Sequence, residues 1–280
     1  MDLNLNLREA IYALKGELNF VINRLIFKRA FDLLKFSMSG SLYREMLELR
    51  KKIIRTVYSF KIESGHEYYG GPKVSIVIPT RNECKYLPRL LSSLKMSIYK
   101  NFEVVCIDYL STDGTPEIAR KYRVRIISVD RKGVGYADHL GVLNAQGEII
   151  IKTDADTIFP PNLIYNTVKV LTSGRYILYH VGHLYYDAGI LENLMAHLYD
   201  KYWRDIWKTT GHFIAFWKDI YSKVKFDVDA DLGQDDFKFG HDVITTFGPK
   251  AICYDPNNII LVSARKLRRA GLLRYTLGIR

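Results

Sequence analysis

The chain of 280 residues has little cysteine: only Cys84, Cys106 and Cys253, with no Cys-x-x-Cys pair. That excludes a disulfide framework and a cysteine zinc site, and it suits a reducing, cytoplasmic setting. Cys106 sits inside an apolar pattern and is expected in the core. No apolar run reaches the roughly 18 residues a bilayer-spanning helix needs. The N-terminus carries Asp2 and alternating polar residues, so a secretory signal is not expected. No internal repeat or low-complexity tract is present. The loop Pro79-Thr80-Arg81-Asn82-Glu83 has no glycine. A nucleotidyltransferase would want a glycine-rich loop there, because backbone N–H groups must approach a triphosphate.

Charge of one sign is abundant. Lys and Arg number 41 against 30 Asp and Glu, giving a formal charge of +11 and a pI near 9.4. This favours anionic partners: a phosphorylated substrate, a membrane surface or nucleic acid. Leu7, Ile11, Leu14, Leu18, Val21 and Leu25 predict a helix over about 5–36. Leu42, Met46, Leu49, Ile53 and Val57 predict another over about 41–60. Basic residues edge both. The pair reads as an appendage, residues 1–70, packed on the main domain or on a second copy of the chain, or resting on anionic lipid. Ser64-Gly65 and Gly70-Gly71-Pro72 mark the linker to a main domain at 71–280.

From residue 73 strand and helix alternate. Strands are expected at 74–78, 102–107, 124–129 and 148–153, with helices carrying Leu87 to Leu94, beginning at Thr115-Pro116 and covering 136–146. A further helix opens at Pro160-Pro161. Beyond it come a strand at 176–186, a helix at 188–208, a strand at 211–217, a helix from Lys218, and strands near 250–254 and 259–262. Short connections between strand and helix imply an α/β fold: a mostly parallel sheet with helices on both faces.

The centre of this pattern is Glu148-Ile149-Ile150-Ile151-Lys152-Thr153-Asp154-Ala155-Asp156-Thr157. An apolar run fit for a strand buried on both faces ends in two carboxylates, where open α/β sheets bind ligands. Two carboxylates can hold a hard divalent cation, and that cation can carry a diphosphate. A second acidic cluster, Gln234-Asp235-Asp236-Phe237, lies far downstream.

Several stretches together resemble the glycosyltransferases of family 2, which have the Rossmann-like GT-A fold. Val74 to Glu83 resembles the family's opening strand and loop. Asp108-Tyr109-Leu110-Ser111-Thr112-Asp113-Gly114-Thr115 is similar to its acidic turn. Gly133 to Gly147, running into Asp154-Ala155-Asp156, resembles the segment before its metal motif. Asp235-Asp236 is similar to its Glu-Asp pair, and Ser263-Ala264-Arg265-Lys266 to its closing basic segment. The resemblance implies an inverting transfer of a sugar from a nucleoside-diphosphate sugar to an acceptor hydroxyl. It implies Asp156 and Asp154 as ligands of Mn²⁺ or Mg²⁺, with Asp154 also on the donor side. Pro79, Thr80, Glu83, Asp108 and Lys132 would lie along the donor. Asp236 would be the catalytic base, with Asp235 the register alternative. Asp108 and Asp113 can also be turn residues, and Glu83 a helix-terminus charge.

Three positions depart from the family pattern. Tyr109 replaces an Asp, Asp138-His139 replaces an Arg-Asn and so removes a cation near the diphosphate, and Asp235 replaces a Glu. Lys132 or the basic tail is expected to compensate. His212 and His241 read as surface or satisfied core histidines, and Trp203 and Trp207 as core. The acceptor is a glycan, a lipid-linked group or a protein. A polyprenyl-phosphate sugar synthase peripheral on a membrane is the alternative within the class, and a non-catalytic basic binding protein the alternative outside it. Nucleic acid is disfavoured as a partner.

Overall fold

The computed structural model describes residues 67–200, 204–230 and 234–270, together with 40, 44, 45, 47–49, 51 and 52. The helix expected over 5–36, most of that over 41–60, Ser64-Gly65, Trp203, Gly233 and the tail from Gly271 lie outside them. The described positions between 40 and 52 are helical. Leu49 there is fully buried, and Lys52 Nζ donates to the Pro256 carbonyl at 2.6 Å.

Eight strands form one sheet in the order β3-β2-β1-β4-β7-β6-β8-β5. They are β1 (Val74–Thr80), β2 (Phe102–Tyr109), β3 (Arg125–Val129), β4 (Ile149–Lys152), β5 (Thr157–Ile158), β6 (Leu178–Tyr185), β7 (Ile214–Trp217) and β8 (Ile252–Val262). β3, β2, β1 and β4 run parallel, β7 is antiparallel to both its neighbours, and β6 and β8 are parallel. The helices are α1 (Leu87–Lys95), α2 (Thr115–Lys121), α3 (Val134–Asn144), α4 (Leu163–Thr172), α5 (Ile190–Leu198), α6 (Gln234–Phe247) and α7 (Arg265–Ala270).

Alternation along the strands explains why both faces are covered. Val74, Ile76, Ile78, Ile149 and Ile151 point into a core with Leu87, Leu90, Leu91 and Leu94 of α1 and Leu163, Ile164, Val168 and Leu171 of α4. Val77, Ile150, Ile214 and Phe216 point the other way, to Val142 of α3 and Phe239 and Val243 of α6. A strand buried on both sides has no place for a polar face, so its sequence reads as continuously apolar. α3 reaches β1 closely because Gly141 has no side chain: a Cβ there would lie 2.1 Å from Val77 Cγ1.

Four expectations change. The α-helix expected over 188–208 ends at Leu198 and passes into a π turn at 199–200; farther on, Arg204 donates to the Lys208 carbonyl and the Ile206 carbonyl is bonded to His180. Those side-chain bonds close a loop, so Trp207 packs from a turn. The helix from Lys218 is a single 3₁₀ turn, Lys218–Ser222. The two last strands are one, β8, with an irregularity opposite Val181 and Gly182. Thr115 does not cap α2; its hydroxyl donates to Asp113 at 2.5 Å and accepts the Glu83 N–H at 2.7 Å, so it ties two loops together.

Replacing Gly141 by Ala forces a methyl into the α3–β1 contact and should destabilise the fold by about 1–3 kcal/mol. Urea unfolding of Gly141→Ala measures this; an unchanged midpoint would contradict the close approach.

Candidate active site

Strand direction brings the acids together. β1, β2 and β4 are parallel and in register, with Thr80 beside Asp108 and Val77 beside Lys152. Their carboxyl ends therefore share one edge. β7 runs the opposite way beside β4, so the residues before it, Gly211 and His212, start at that edge. β8 ends there too, because Val262 pairs with Thr157 and the Ser263 N–H reaches the Asp156 carbonyl at 3.1 Å.

On the β1–β2 side, Asp108 is buried and holds its own turn. Its Oδ1 accepts the Thr80 hydroxyl at 3.1 Å and the Ser111 hydroxyl at 2.6 Å. Asp113 is wholly engaged in turn bonds to the Cys84 N–H and to Thr115. Glu83 is not a helix-terminus charge: it takes both guanidinium arms of Arg265, at 2.8 and 2.5 Å. Pro79 is buried within β1 opposite Ile107. Lys132 is exposed in the loop before α3.

At the end of β4, Asp156 Oδ2 lies 2.6 Å from Arg265 Nε, while its Oδ1 is buried with no hydrogen-bond partner among the described residues. Burial, then the neighbouring Asp154 charge, pushes the Asp156 carboxyl up to about 7. Asp154 Oδ2 meets Lys266 Nζ at 3.0 Å and His212 Nδ1 at 3.2 Å. Burial opposes its ionisation, but Lys266 and His212 outweigh it and hold the carboxyl well below the usual range. A hard divalent cation fits this donor set, since the orphaned Asp156 oxygen is the ligand type such ions take.

The second acidic cluster arrives on α6. Phe239, one turn beyond Asp236, stacks on Phe226 with centroids 4.4 Å apart and packs on Phe216 at 4.9 Å. The Thr209 hydroxyl also donates to the Asp236 carbonyl. These contacts hold the start of α6 against the sheet edge. Asp138, Asp235 and Asp236 bring carboxylate oxygens within 4.8 Å of one another, all buried. Lys152 Nζ sits among them, 2.7 Å from Asp236, 3.3 Å from Asp138 and 4.0 Å from Asp154. Burial works against charge on Lys152, but these acids outweigh it and keep the amine protonated. Burial pushes the Asp236 carboxyl up to about 6 against the pull of Lys152.

The two acidic clusters meet at Gly211. A Cβ there would lie 2.6 Å from Asp236 Oδ2, 2.9 Å from Lys152 Nζ and 3.1 Å from Asp154 Oδ1. Only a glycine lets the backbone come this close to all three groups. Lys152, Gly211 and the Asp154 contact of His212 are not foreseen from sequence. A lysine closing an apolar strand was the available signal for the first. Of the basic residues expected to compensate for Asp138, Arg265 and Lys266 of the tail stand on Asp156 and Asp154.

A twisted α/β sheet with its acids at one strand edge, here resembling solved glycosyltransferases, defines the GT-A class. The family described as Glycosyl transferase family 2 matches residues 75–227, more than half of the chain, and the chain belongs to it. A dolichol-phosphate mannosyltransferase of Pyrococcus furiosus is 33% identical over 127 residues, 43% of this chain and 36% of that protein. A dolichyl-phosphate hexose transferase of Haloferax volcanii is 31% identical over 101 residues, 36% of this chain and 44% of that protein. The match thus spans less than half of either relative. A mannosyltransferase from Pyrobaculum calidifontis, solved with GDP-Man and Mn²⁺, superposes with a TM-score of 0.57 at 20% identity, covering 89% of this chain and 75% of that one. At that identity the likeness establishes the fold.

Gly211→Ala drives a methyl against Asp236, Lys152 and Asp154. It should lower sugar-transfer turnover about 10²-fold by displacing them and cost about 1–3 kcal/mol of stability. Parental turnover with an unchanged urea midpoint would contradict the close approach at Gly211.

Proposed function

We propose that this protein is a metal-dependent inverting glycosyltransferase that moves a sugar from a nucleoside-diphosphate sugar to an acceptor hydroxyl. The observation that carries this reading is the meeting of the two acidic clusters at one sheet edge, where Lys152 Nζ lies 2.7 Å from Asp236 and 4.0 Å from Asp154. Inversion needs a base on the far side of the sugar from the leaving group, and two clusters on one cleft can supply both sides. Asp156 and Asp154 would hold Mn²⁺ or Mg²⁺. When bound, the ion would take up negative charge on the departing diphosphate. Asp108, Thr80 and Glu83 would line the nucleoside side. Asp236 would accept the proton of the acceptor hydroxyl as its oxygen forms the bond to the anomeric carbon. The bond to the diphosphate breaks at the same carbon, and the nucleoside diphosphate leaves with the electron pair. Arg265 and Lys266, now on the acids, would turn to the diphosphate.

The test is a donor panel of GDP-mannose, UDP-glucose and UDP-N-acetylglucosamine, with and without Mn²⁺, read as nucleoside diphosphate release. Release should require the metal, and Asp156→Ala should lower it at least about 10²-fold. Metal-independent release at the same rate in Asp156→Ala would overturn the metal assignment.

A second reading has support from the relatives named for dolichol-phosphate and dolichyl-phosphate transfer, and from the basic charge. In it the acceptor is a polyprenyl phosphate at a membrane surface. Among the described residues no helix is long and apolar enough to cross a membrane, so attachment would be peripheral. The two readings separate at Asp236. A phosphate acceptor is already ionised at neutral pH and needs no base; a hydroxyl does.

For a hydroxyl acceptor, Asp236→Asn should lower kcat about 10²–10⁴-fold with donor binding retained. The parent's kcat/KM should fall as pH drops through about 6, because the base must be ionised and Asp236 is pushed up to about that value. That acid limb should vanish in the variant. Full-speed Asp236→Asn with a polyprenyl phosphate acceptor, together with flotation on anionic liposomes at low salt, would select the second reading.

A further inference from the structure

The geometry points to Lys152 as the positioning residue that ties down one oxygen of Asp236 and leaves the other to take the proton, with buried Asp138 as its anchor. This rests on Asp236 as the base.

Lys152 is 1% exposed and ends the central strand, so its Cα is fixed by pairing on both sides, to Val77 and to Ile214. Its ammonium donates to Asp236 Oδ1 at 2.7 Å. Asp236 Oδ2 is on the Gly211 side, 2.6 Å from where a Cβ at 211 would sit, and no described residue donates to it. A carboxylate with one oxygen held this way has lost its freedom to rotate, and its other oxygen keeps its lone pairs for an incoming proton. Such fixing of a reacting group is worth large factors in rate.

Asp138 explains why the lysine can sit there. It is fully buried, 3.3 Å from Lys152 Nζ, and neither of its oxygens makes a hydrogen bond. A carboxylate with no other partner is a poor way to stabilise a fold, because its desolvation is not repaid by hydrogen bonds. Among the described residues its one ion pair is with the lysine, and its other near neighbours are the acids Asp235 and Asp236. The cation that Asp138 removes from α3 therefore reappears on β4, and it serves the acid of α6.

The probe reaction is Mn²⁺-dependent release of GDP or UDP from the panel donors with water as acceptor. Donor-site integrity is read as the Kd for Mn²⁺ with GDP or UDP by calorimetry. Lys152→Met should lower kcat about 10²-fold while Kd stays within about twofold. A lone Asp138 left in the interior can unfold that variant, so the double variant Asp138→Leu/Lys152→Met is made alongside. Replacing a buried ion pair by apolar groups is commonly neutral for stability, so the double variant should fold. If Lys152 positions Asp236, the double variant stays about 10²-fold slow. If Lys152 only neutralises Asp138, the double variant regains parental kcat and the inference falls. Ethylammonium should restore at least about tenfold of the lost rate to Lys152→Ala, which leaves a cavity, and none to Lys152→Met, which fills it. Equal rates with ethylammonium and with sodium at the same ionic strength would count against the inference. Asp236→Asn separates the two failures. If it turns over at the parental rate, the base reading itself is wrong. If it is inactive while Lys152→Met is unimpaired, only the role of Lys152 is wrong.

Discussion

Six carboxylates meet at the carboxyl edge of this sheet: Glu83, Asp138, Asp154, Asp156, Asp235 and Asp236. Against them stand Lys152, Arg265 and Lys266. Charges taken out of water are costly unless paired, so this edge is the constraint to which the surrounding elements answer. The three cations cannot balance six ionised acids. Part of the imbalance is relieved by raised affinity for protons, seen in Asp138, Asp156 and Asp236, each pushed up chiefly by burial. The rest is capacity for further positive charge. A site in that condition favours a cation more than an anion, and a diphosphate would enter it more readily together with a metal ion than alone.

The fold concentrates these groups by topology, not by sequence proximity. Parallel strands with short connections place successive carboxyl ends on one edge, and the antiparallel β7 contributes its beginning to the same place. Rigidity comes from the apolar layers on each face, whose side chains alternate along β1 and β4. The close fit of α3 on β1 and of α6 on the Phe216–Phe226 cluster fixes the backbone that carries Asp138 and Asp236. Weaker packing would leave the same acids present but not convergent.

The sheet was legible because strands buried on both faces must be apolar, and because helices between them leave a periodic mark. Elements up to α4 matched their expected positions for that reason, apart from the two-residue β5, too short to leave a pattern. Legibility fell beyond residue 186. There the chain is held by side chains that take backbone carbonyls, as Arg204 and His180 do for Lys208 and Ile206. Bonds of that kind leave no period to read. The acids of the site were visible as residue types at strand ends. Their counter-ions were not, since Arg265 lies 109 positions beyond Asp156 and only folding brings them to 2.6 Å. Gly211 was invisible for a different reason. Its backbone is not in the left-handed region, so no turn demands a glycine there. The demand comes from three side chains of two other segments that crowd the missing Cβ.

That crowding bears on how the cations are divided. Lys152 is enclosed by the strand and by Asp138, and has nowhere else to go. Arg265 and Lys266 stand on the last short helix, partly open to solvent. Their tether is Asp187, which accepts the Ala264 N–H at 2.6 Å and meets Arg268 at 2.6 Å. A buried cation fixed on both sides suits a group whose geometry must not change during a reaction. Cations near the surface on a short helix suit groups that exchange partners, leaving carboxylates when phosphates arrive. Exchange costs less than creation, because each guanidinium or ammonium bond lost to an acid is replaced by one to phosphate of similar strength. Carboxylates released in this way are the ligands a divalent cation would need. On the proposed function, donor and metal would therefore enter together, each removing the obstacle to the other.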